Sequence, residues 1–350
     1  MFSAAGWRKI GGRTKPPKEE TALLFIDNGN SHDPALNLAL EEYALRKLPA
    51  EHDYLIFYIN EPSIIIGKNQ NTAEEVNAEY VERNGIHVVR RLSGGGAVYH
   101  DLGNLNFSFV TRDDGESFHN FRKFTAPVVE ALRKLGVEAE LSGRNDIVVG
   151  DRKISGNAQF SSRGRMFSHG TLLFDSRMEN VAAALKPNPL KFESKATKSV
   201  RSRVANIVEF LREPMTIDQF KQFLLESIFG GGEIERYPLT EDDWAAVRKL
   251  ADERYRNWDW NYGLSPAFNV RQMKRLSAGT FDVRLNVEKG VITQVSIYGD
   301  FFGRGEVSDV TGKLIGVRYE RGAIEAALSG VDLTYYFGPV EREEWLGLLI

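Results

Sequence analysis

The sequence predicts an α+β fold, with a mixed β-sheet flanked by helices in a large first domain and a smaller α+β accessory domain at the C-terminus. Three observations carry this. Apolar runs of strand length outnumber helical periodicities through the first 175 residues. Those runs lie too close together for a helix between each pair, which excludes the regular βαβ alternation of a dinucleotide-binding fold. Beyond Tyr262 the chain passes through Gly263, Ser265 and Pro266 and then begins a clean two-residue alternation.

The elements follow in order. Asp33 is placed to cap a helix with Pro34 at its first position, and Leu36, Ala39, Leu40, Tyr43 and Ala44 recur at helical spacing. Tyr54 to Ile59 and Ser63 to Ile66 read as adjacent buried strands split by Asn60-Glu61-Pro62. His87 to Leu92 and Leu105 to Phe109 read as strands bracketing a glycine run. Pro127 to Leu135 is a second helix stopped by Gly136, and strands return at Val137 to Leu141, Ile147 to Val149 and Thr171 to Phe174. Past the linker, Thr280 to Val287, a Glu288-Lys289-Gly290 turn and Val291 to Tyr298 form a hairpin pattern. Helices follow near Glu306 to Ile315 and Glu320 to Leu328. The domain boundaries are set at 1–20 for a flexible basic tail, 21–262 for the large first domain, 263–267 for the linker and 268–350 for the accessory domain.

Composition excludes several classes. With 45 Lys plus Arg against 48 Asp plus Glu the formal net charge is -3, so the chain as a whole offers polyanions no attraction and nucleic acid is not an expected partner. The longest apolar stretch, Tyr54 to Gly67, is interrupted by Asn60, Glu61 and Pro62 and is too short to span a bilayer. Cysteine is absent, which removes disulfides, thiolate metal sites and every cysteine-nucleophile mechanism. The basic N-terminal tail lacks the apolar stretch of a secretory signal; it reads as a solvated extension, with a transit peptide as the alternative.

The chemistry concentrates in a few segments. Arg90-Arg91-Leu92-Ser93-Gly94-Gly95-Gly96-Ala97-Val98-Tyr99-His100-Asp101 sets two guanidinium groups beside three consecutive glycines between strands, where backbone N–H groups can approach a phosphate or carboxylate. It matches neither the P-loop nor the dinucleotide fingerprint. Gly143-Arg144-Asn145-Asp146 and Asp151-Arg152-Lys153-Ile154-Ser155-Gly156-Asn157-Ala158 read alone as polar turns, although Lys153 is well placed as a fixed cation. Ser168-His169-Gly170-Thr171 caps a strand with a histidine that reads as structural. Lys195, Lys198, Arg201 and Arg203 form a basic stretch, either a solvated helix face or a loop that folds onto an anion.

RRLSGGGAVYHD, GRNDI, DRKISGNA, HGTLLFD and KSVRSRVANI, in this order, closely resemble the lipoate–protein ligase A family of the biotin/lipoate protein ligase superfamily, and the NLALEEY helix from Asn37 to Tyr43 agrees. The resemblance runs from residue 21 to the end and implies a biotin/lipoyl ligase-like fold. It implies ATP-dependent activation of lipoate to lipoyl-AMP, with Mg²⁺ as activator and octanoate as an alternative acid whose standing against lipoate the sequence leaves open. Transfer would follow to a lysine of apo lipoyl domains, in 2-oxoacid dehydrogenase E2 subunits and the glycine cleavage H protein. A monomeric, cytoplasmic enzyme with no membrane or nucleic-acid partner is expected.

By the same resemblance Lys153 bridges the lipoyl carboxyl and the α-phosphate, and Arg90 with Gly95, Gly96, Ala97 and Val98 holds the nucleotide. Asn145 and Asp146 sit at the adenylate, Asp146 as the Mg²⁺ contact. Ser93 and His100 line the mouth of the acyl pocket, Ile64, Ile65, Leu92 and Val98 are candidates for its apolar channel, and Ser199, Val200 and Arg203 belong to a loop closing over the adenylate. Octanoyltransferases and lipoyl amidotransferases share the scaffold but use a cysteine thioester, which this composition forbids. A biotin ligase would carry a GRGRxGR-like loop in place of RRLSGGGAV. A lipoyltransferase using preformed lipoyl-AMP and a non-catalytic lipoate-binding protein remain as the competing readings.

Overall fold

The computed structural model describes residues 21–185, 204–262, 270–288 and 290–349. The first of three sheets has seven strands in the order β1 (Leu23–Ile26), β2 (Asp53–Ile59), β6 (Asn104–Arg112), β10 (Arg165–Leu173), β9 (Arg152–Ser162), β8 (Asp146–Val149) and β7 (Ala139–Ser142). Only β1 and β2 run parallel in it; the other pairs are antiparallel. Alternation along β2 serves both faces. Leu55, Phe57 and Ile59 enter a core with the helix Phe121–Lys134 and the helix Ile217–Ile228, while Tyr54, Ile56 and Tyr58 enter one with the helix Pro34–Lys47 and the helix Glu241–Leu250.

The helix at Pro34 forms as its capping pattern requires, with the Asp33 carboxylate accepting from the Ala35 and Leu36 amides. Its burial is broader than one stripe, because the sheet covers one side and residues 241–255 cover the other. Leu38 and Leu45 are therefore buried along with Asn37, Glu41 and Glu42, whereas Leu36 and Tyr43 are only half-buried.

Several expectations need correction. Tyr54–Ile59 and Ser63–Ile66 are both strands but do not pair: β3 (Ser63–Ile66) belongs to a second, three-stranded sheet, between β4 (His87–Arg90) and β5 (Val98–His100). Asn60, Glu61 and Pro62 thus carry the chain from one sheet to the other. The second helix begins at Phe121 and holds Pro127 inside it. The segment Arg152 to Ala158, read as a polar turn, lies on an eleven-residue strand, β9.

The C-terminal part has its own sheet, β11 (Val270–Leu276), β12 (Gly279–Glu288) and β13 (Val291–Gly299), with the expected hairpin paired from Phe281↔Gly299 to Glu288↔Val291 and a register shift between Asn286 and Val287. Phe281, Val283 and Leu285 enter a separate core with Phe301, Val310, Leu314, Phe337 and Trp345. Helices Val307–Leu314 and Arg321–Ala327 match the expected positions; Leu333–Phe337 and Arg342–Leu346 are additional. The 1–20 tail, the 263–267 linker and the Lys195 to Arg203 stretch, with Ser199, Val200 and Arg203, lie outside the described residues.

Candidate active site

A cavity of about 360 Å³ opens between the two sheets of the first domain and the C-terminal sheet. Of the residues singled out in the sequence, Gly95, Gly96, Ala97, Val98, His100, Asn145, Asp146 and Lys153 line it, and Ile65 joins Val98 on its apolar wall. Ile64 and Leu92 do not reach it; they pack into two other apolar clusters.

The glycine run is held in place by its surroundings. Gly95 has φ +90°, a left-handed conformation that disfavours any side chain with a Cβ, and a Cβ on Gly94 would lie 2.3 Å from the carbonyl oxygen of Phe301 in the C-terminal domain. Arg91 straps the loop from beneath: its guanidinium donates to the carbonyls of Ile65, Gly94 and Gly96 and to Ser93 Oγ. Burial pulls Arg91 down to about 10, so it stays charged at neutral pH.

The two arginines separate where β4 ends at Arg90, and their side chains go to different places. Arg91 lines the cavity and Arg90 does not. Arg90, expected at the nucleotide, donates to the carbonyls of Gly67, Lys68, Gln70, Trp260 and Asn261 and to Thr72 Oγ1. It ties residues 67–72 to the segment that ends the first domain with its guanidinium N–H groups engaged, and it borders a separate cavity of about 280 Å³ with Lys68, Tyr262 and Tyr298. Ser93, fully buried, lies behind the wall, between Arg91 Nε and His169 Nε2 at 2.7 Å.

Lys153 Nζ pairs with Asp146 Oδ1 at 2.8 Å across β8 and β9, both side chains partly exposed. A Cβ on Gly156 would stand 2.9 Å from that ammonium, so the glycine makes room for the lysine to lie along its strand. Asn145 is committed to Asn157 in both directions, donating from Nδ2 to its carbonyl at 2.5 Å and accepting its amide at 2.9 Å. The backbone of Lys153 is engaged as well: Ala205 N–H donates to its carbonyl, so the chain re-enters beside the lysine after residues 186–203.

Sequence reasoning missed the other charges at this end. Arg144 donates to the Ala278 carbonyl and lies over the Phe302 ring, and Arg275, Asp300 and Phe302 complete the lining from the C-terminal domain. From Lys153 to Ala158 the wall follows β9 for about 16 Å. The far end holds Leu38, Tyr58, Ile65, Val98, Asn106 and His169, and with them His100, expected from the sequence at the mouth. There Glu41, almost fully buried, accepts from Tyr58 OH and pairs with His169 Nδ1 at 3.0 Å. His169 is therefore part of a buried chain, Glu41 to His169 to Ser93 to Arg91, that supports the glycine loop; its signal was a histidine alternating inward on a strand. Burial, with Arg91 and His169 nearby, pushes His100 down to about 3 and keeps it neutral. Among the described residues no three carboxylate or histidine side chains cluster as a metal site, and no helix is long and apolar enough to cross a membrane.

A cavity with Lys153, Arg144, Arg275 and glycine amides at one end and Leu38, Tyr58, Ile65 and a neutral His100 at the other suits an acyl chain ending in a carboxylate that meets a nucleotide. Residues 33–229 match the model of the lipoyl protein ligase A/B catalytic domain, and residues 265–349 that of the bacterial lipoate protein ligase C-terminus. The lipoate-protein ligase of Bacillus subtilis (strain 168) is 59% identical over 330 residues, covering 93% of this chain and all of that protein. An archaeal bipartite lipoate protein ligase from Thermoplasma acidophilum, described together with its E2 lipoyl domain, is 33% identical with a TM-score of 0.62, covering 72% of this chain and 99% of that one. A lipoate-protein ligase A bound with ATP is 32% identical with a TM-score of 0.60, covering 70% and 100%. This chain belongs to the lipoate-protein ligase family, and it is an enzyme of the ligase class.

Proposed function

We propose that this ligase first joins lipoate to ATP, giving lipoyl-AMP and pyrophosphate, and then passes the acyl group to a lysine of a lipoyl domain. The observation that carries the reading is one cavity with the Lys153 ammonium, Asp146 and the Gly95-Gly96 backbone at one end and Leu38, Tyr58, Ile65 and a neutral His100 at the other. In the first step a carboxylate oxygen attacks the α-phosphorus and pyrophosphate leaves; both reactants are anions, so fixed positive charge must offset their repulsion. Lys153, Arg144 and Arg275 supply it, with Lys153 nearest the reacting atoms and the two arginines toward the leaving pyrophosphate. Asp146 holds the Lys153 ammonium in place while the site is open. In the second step the acceptor amine attacks the acyl carbonyl, AMP leaves and the amine loses a proton to solvent.

Mg²⁺ fits the residues present. Asp146 and Asp300 line the same cavity, and one or two carboxylates beside substrate phosphates are the donor set this ion takes. When bound it neutralises phosphate charge. The acceptor class follows from the Thermoplasma relative described with an E2 lipoyl domain; E2 subunits and the glycine cleavage H protein are the proposed partners. The chain is proposed to act as a cytoplasmic monomer, divided at 263–267 into the catalytic and accessory domains.

The test is lipoate-dependent exchange of labelled pyrophosphate into ATP by the purified chain without acceptor. Exchange that requires lipoate supports activation by this protein. No exchange, with transfer still seen from synthetic lipoyl-AMP, replaces the ligase reading by a transferase; failure of both leaves a lipoate-binding protein.

A further inference from the structure

We infer that His100 selects the dithiolane of lipoate over a plain saturated acyl chain, by presenting its Nε2–H to a sulfur atom at the far end of the cavity. The inference rests on the proposed function, since it is the carboxylate at Lys153 that sends the chain toward His100.

The proton on Nε2 is fixed by a buried relay of asparagines. The Ser31 carbonyl can only accept, so the Asn28 and Asn37 groups that reach it at 2.8 and 3.0 Å are Nδ2 amides. Asn37 Nδ2 also donates to Asn60 at 2.8 Å, which makes that atom Asn60 Oδ1 and turns Asn60 Nδ2 toward His100 Nδ1 at 3.0 Å. His100 Nδ1 must therefore accept, and the single proton of the neutral ring sits on Nε2. That N–H is buried and has no partner among the described residues. The neighbouring polar groups at this end are engaged: Tyr58 OH and His169 Nδ1 with Glu41, and His169 Nε2 with Ser93.

A buried, unpaired N–H is a standing cost that a matching ligand atom relieves and a mismatched one preserves. The ring is on the cavity wall, close to His169, at the opposite end from Lys153. A saturated tail such as that of octanoate brings only C–H groups to this donor, whereas the dithiolane brings sulfur, a weak but real acceptor. A site built around a donor rejects the ligand that lacks the acceptor. Asn60, Asn37 and Asn28 act as positioning residues, since they set the tautomer and do not line the cavity.

The experiment compares pyrophosphate exchange driven by lipoate and by octanoate, as the ratio of their kcat/KM values. We expect the protein to favour lipoate by about tenfold, the size of one modest hydrogen bond. His100→Phe should bring the ratio to about one. Asn60→Asp keeps the imidazole but offers Nδ1 a carboxylate, which moves the proton away from Nε2 and should lower the ratio in the same way. Folding of both variants is checked by circular dichroism and thermal melting. A ratio near one in the unmodified protein, or an unchanged ratio in a folded variant, overturns the inference. If neither acid drives exchange, the ligase reading fails instead, and calorimetric titration of the same protein with each acid still reads the selectivity.

Discussion

Replacing Arg90 by Met separates a strap from a phosphate ligand, because Met keeps the stem's volume and removes every donor. Five N–H donors of a charged group, at about 1.5 kcal/mol each and with one of them shared between two carbonyls, put the gross loss near about 8 kcal/mol. Burial has already pulled the Arg90 guanidinium from its ordinary value to about 10, so taking the charge away returns about 3 kcal/mol of desolvation. The net is a destabilisation of about 5 kcal/mol, or a melting temperature lower by about 15 °C. Urea denaturation and thermal melting measure the loss. Pyrophosphate exchange at 15 °C, where the variant stays folded, should give a KM for ATP within about threefold of the parent, since Arg90 does not line the cavity. A normal melting temperature with a KM for ATP raised tenfold or more would refute the argument and return Arg90 to the nucleotide.

Three further outcomes follow from the geometry. Lys153→Ala should abolish lipoate-dependent pyrophosphate exchange with the melting temperature nearly unchanged, because its ion pair with Asp146 is partly exposed; near-normal exchange would mean that another cation does this work. Gly94→Ala puts a methyl about 1 Å too close to the Phe301 carbonyl, so the C-terminal domain must shift and exchange should fall by more than tenfold; exchange at the parental rate would show that the seam tolerates the methyl. His100 has a folded value of about 3, below its unfolded one, so its stabilising contribution is complete above pH 6.5 and is lost as pH falls toward 3. Stability should decline by up to about 1.4 kcal/mol per pH unit over that window, and urea titrations at pH 7, 6 and 5 that give this decline equally in His100→Phe would assign it to other groups.

Local signals in the sequence were read well where one side chain or one period decides the outcome. Asp33 and Pro34 set a helix start through their own chemistry, and the alternation from Phe281 to Val287 set a strand. The cavity residues at the glycine run, Asn145, Asp146 and Lys153 were legible because they sit in motifs of several residues. Orientation was not. Arg90 and Arg91 are alike as letters, and only the end of β4, at Arg90, determines which of them faces the loop. Arg152 to Ala158 looked like a turn because Lys, Ser, Gly and Asn are poor strand formers; pairing with β8 and β10 overrides that preference. Arg275, Asp300 and Phe302 were invisible because their role comes from contact across more than a hundred residues, for which no local pattern exists. The Glu41–His169–Ser93 chain was missed for the same reason.

The floor of the cavity is a seven-stranded sheet packed on both faces, whereas its roof belongs to a unit with its own core around Phe281, Phe301 and Trp345. With separate cores, loosening of the smaller unit need not unfold the larger one. Loosening the small core uncovers the reacting end to water while the acyl channel keeps its shape, and a mixed anhydride formed there would be hydrolysed before an acceptor arrived. On gentle heating the first symptom would be a futile cycle, ATP consumed with little protein acylated, at a temperature where the main sheet still gives its native spectrum.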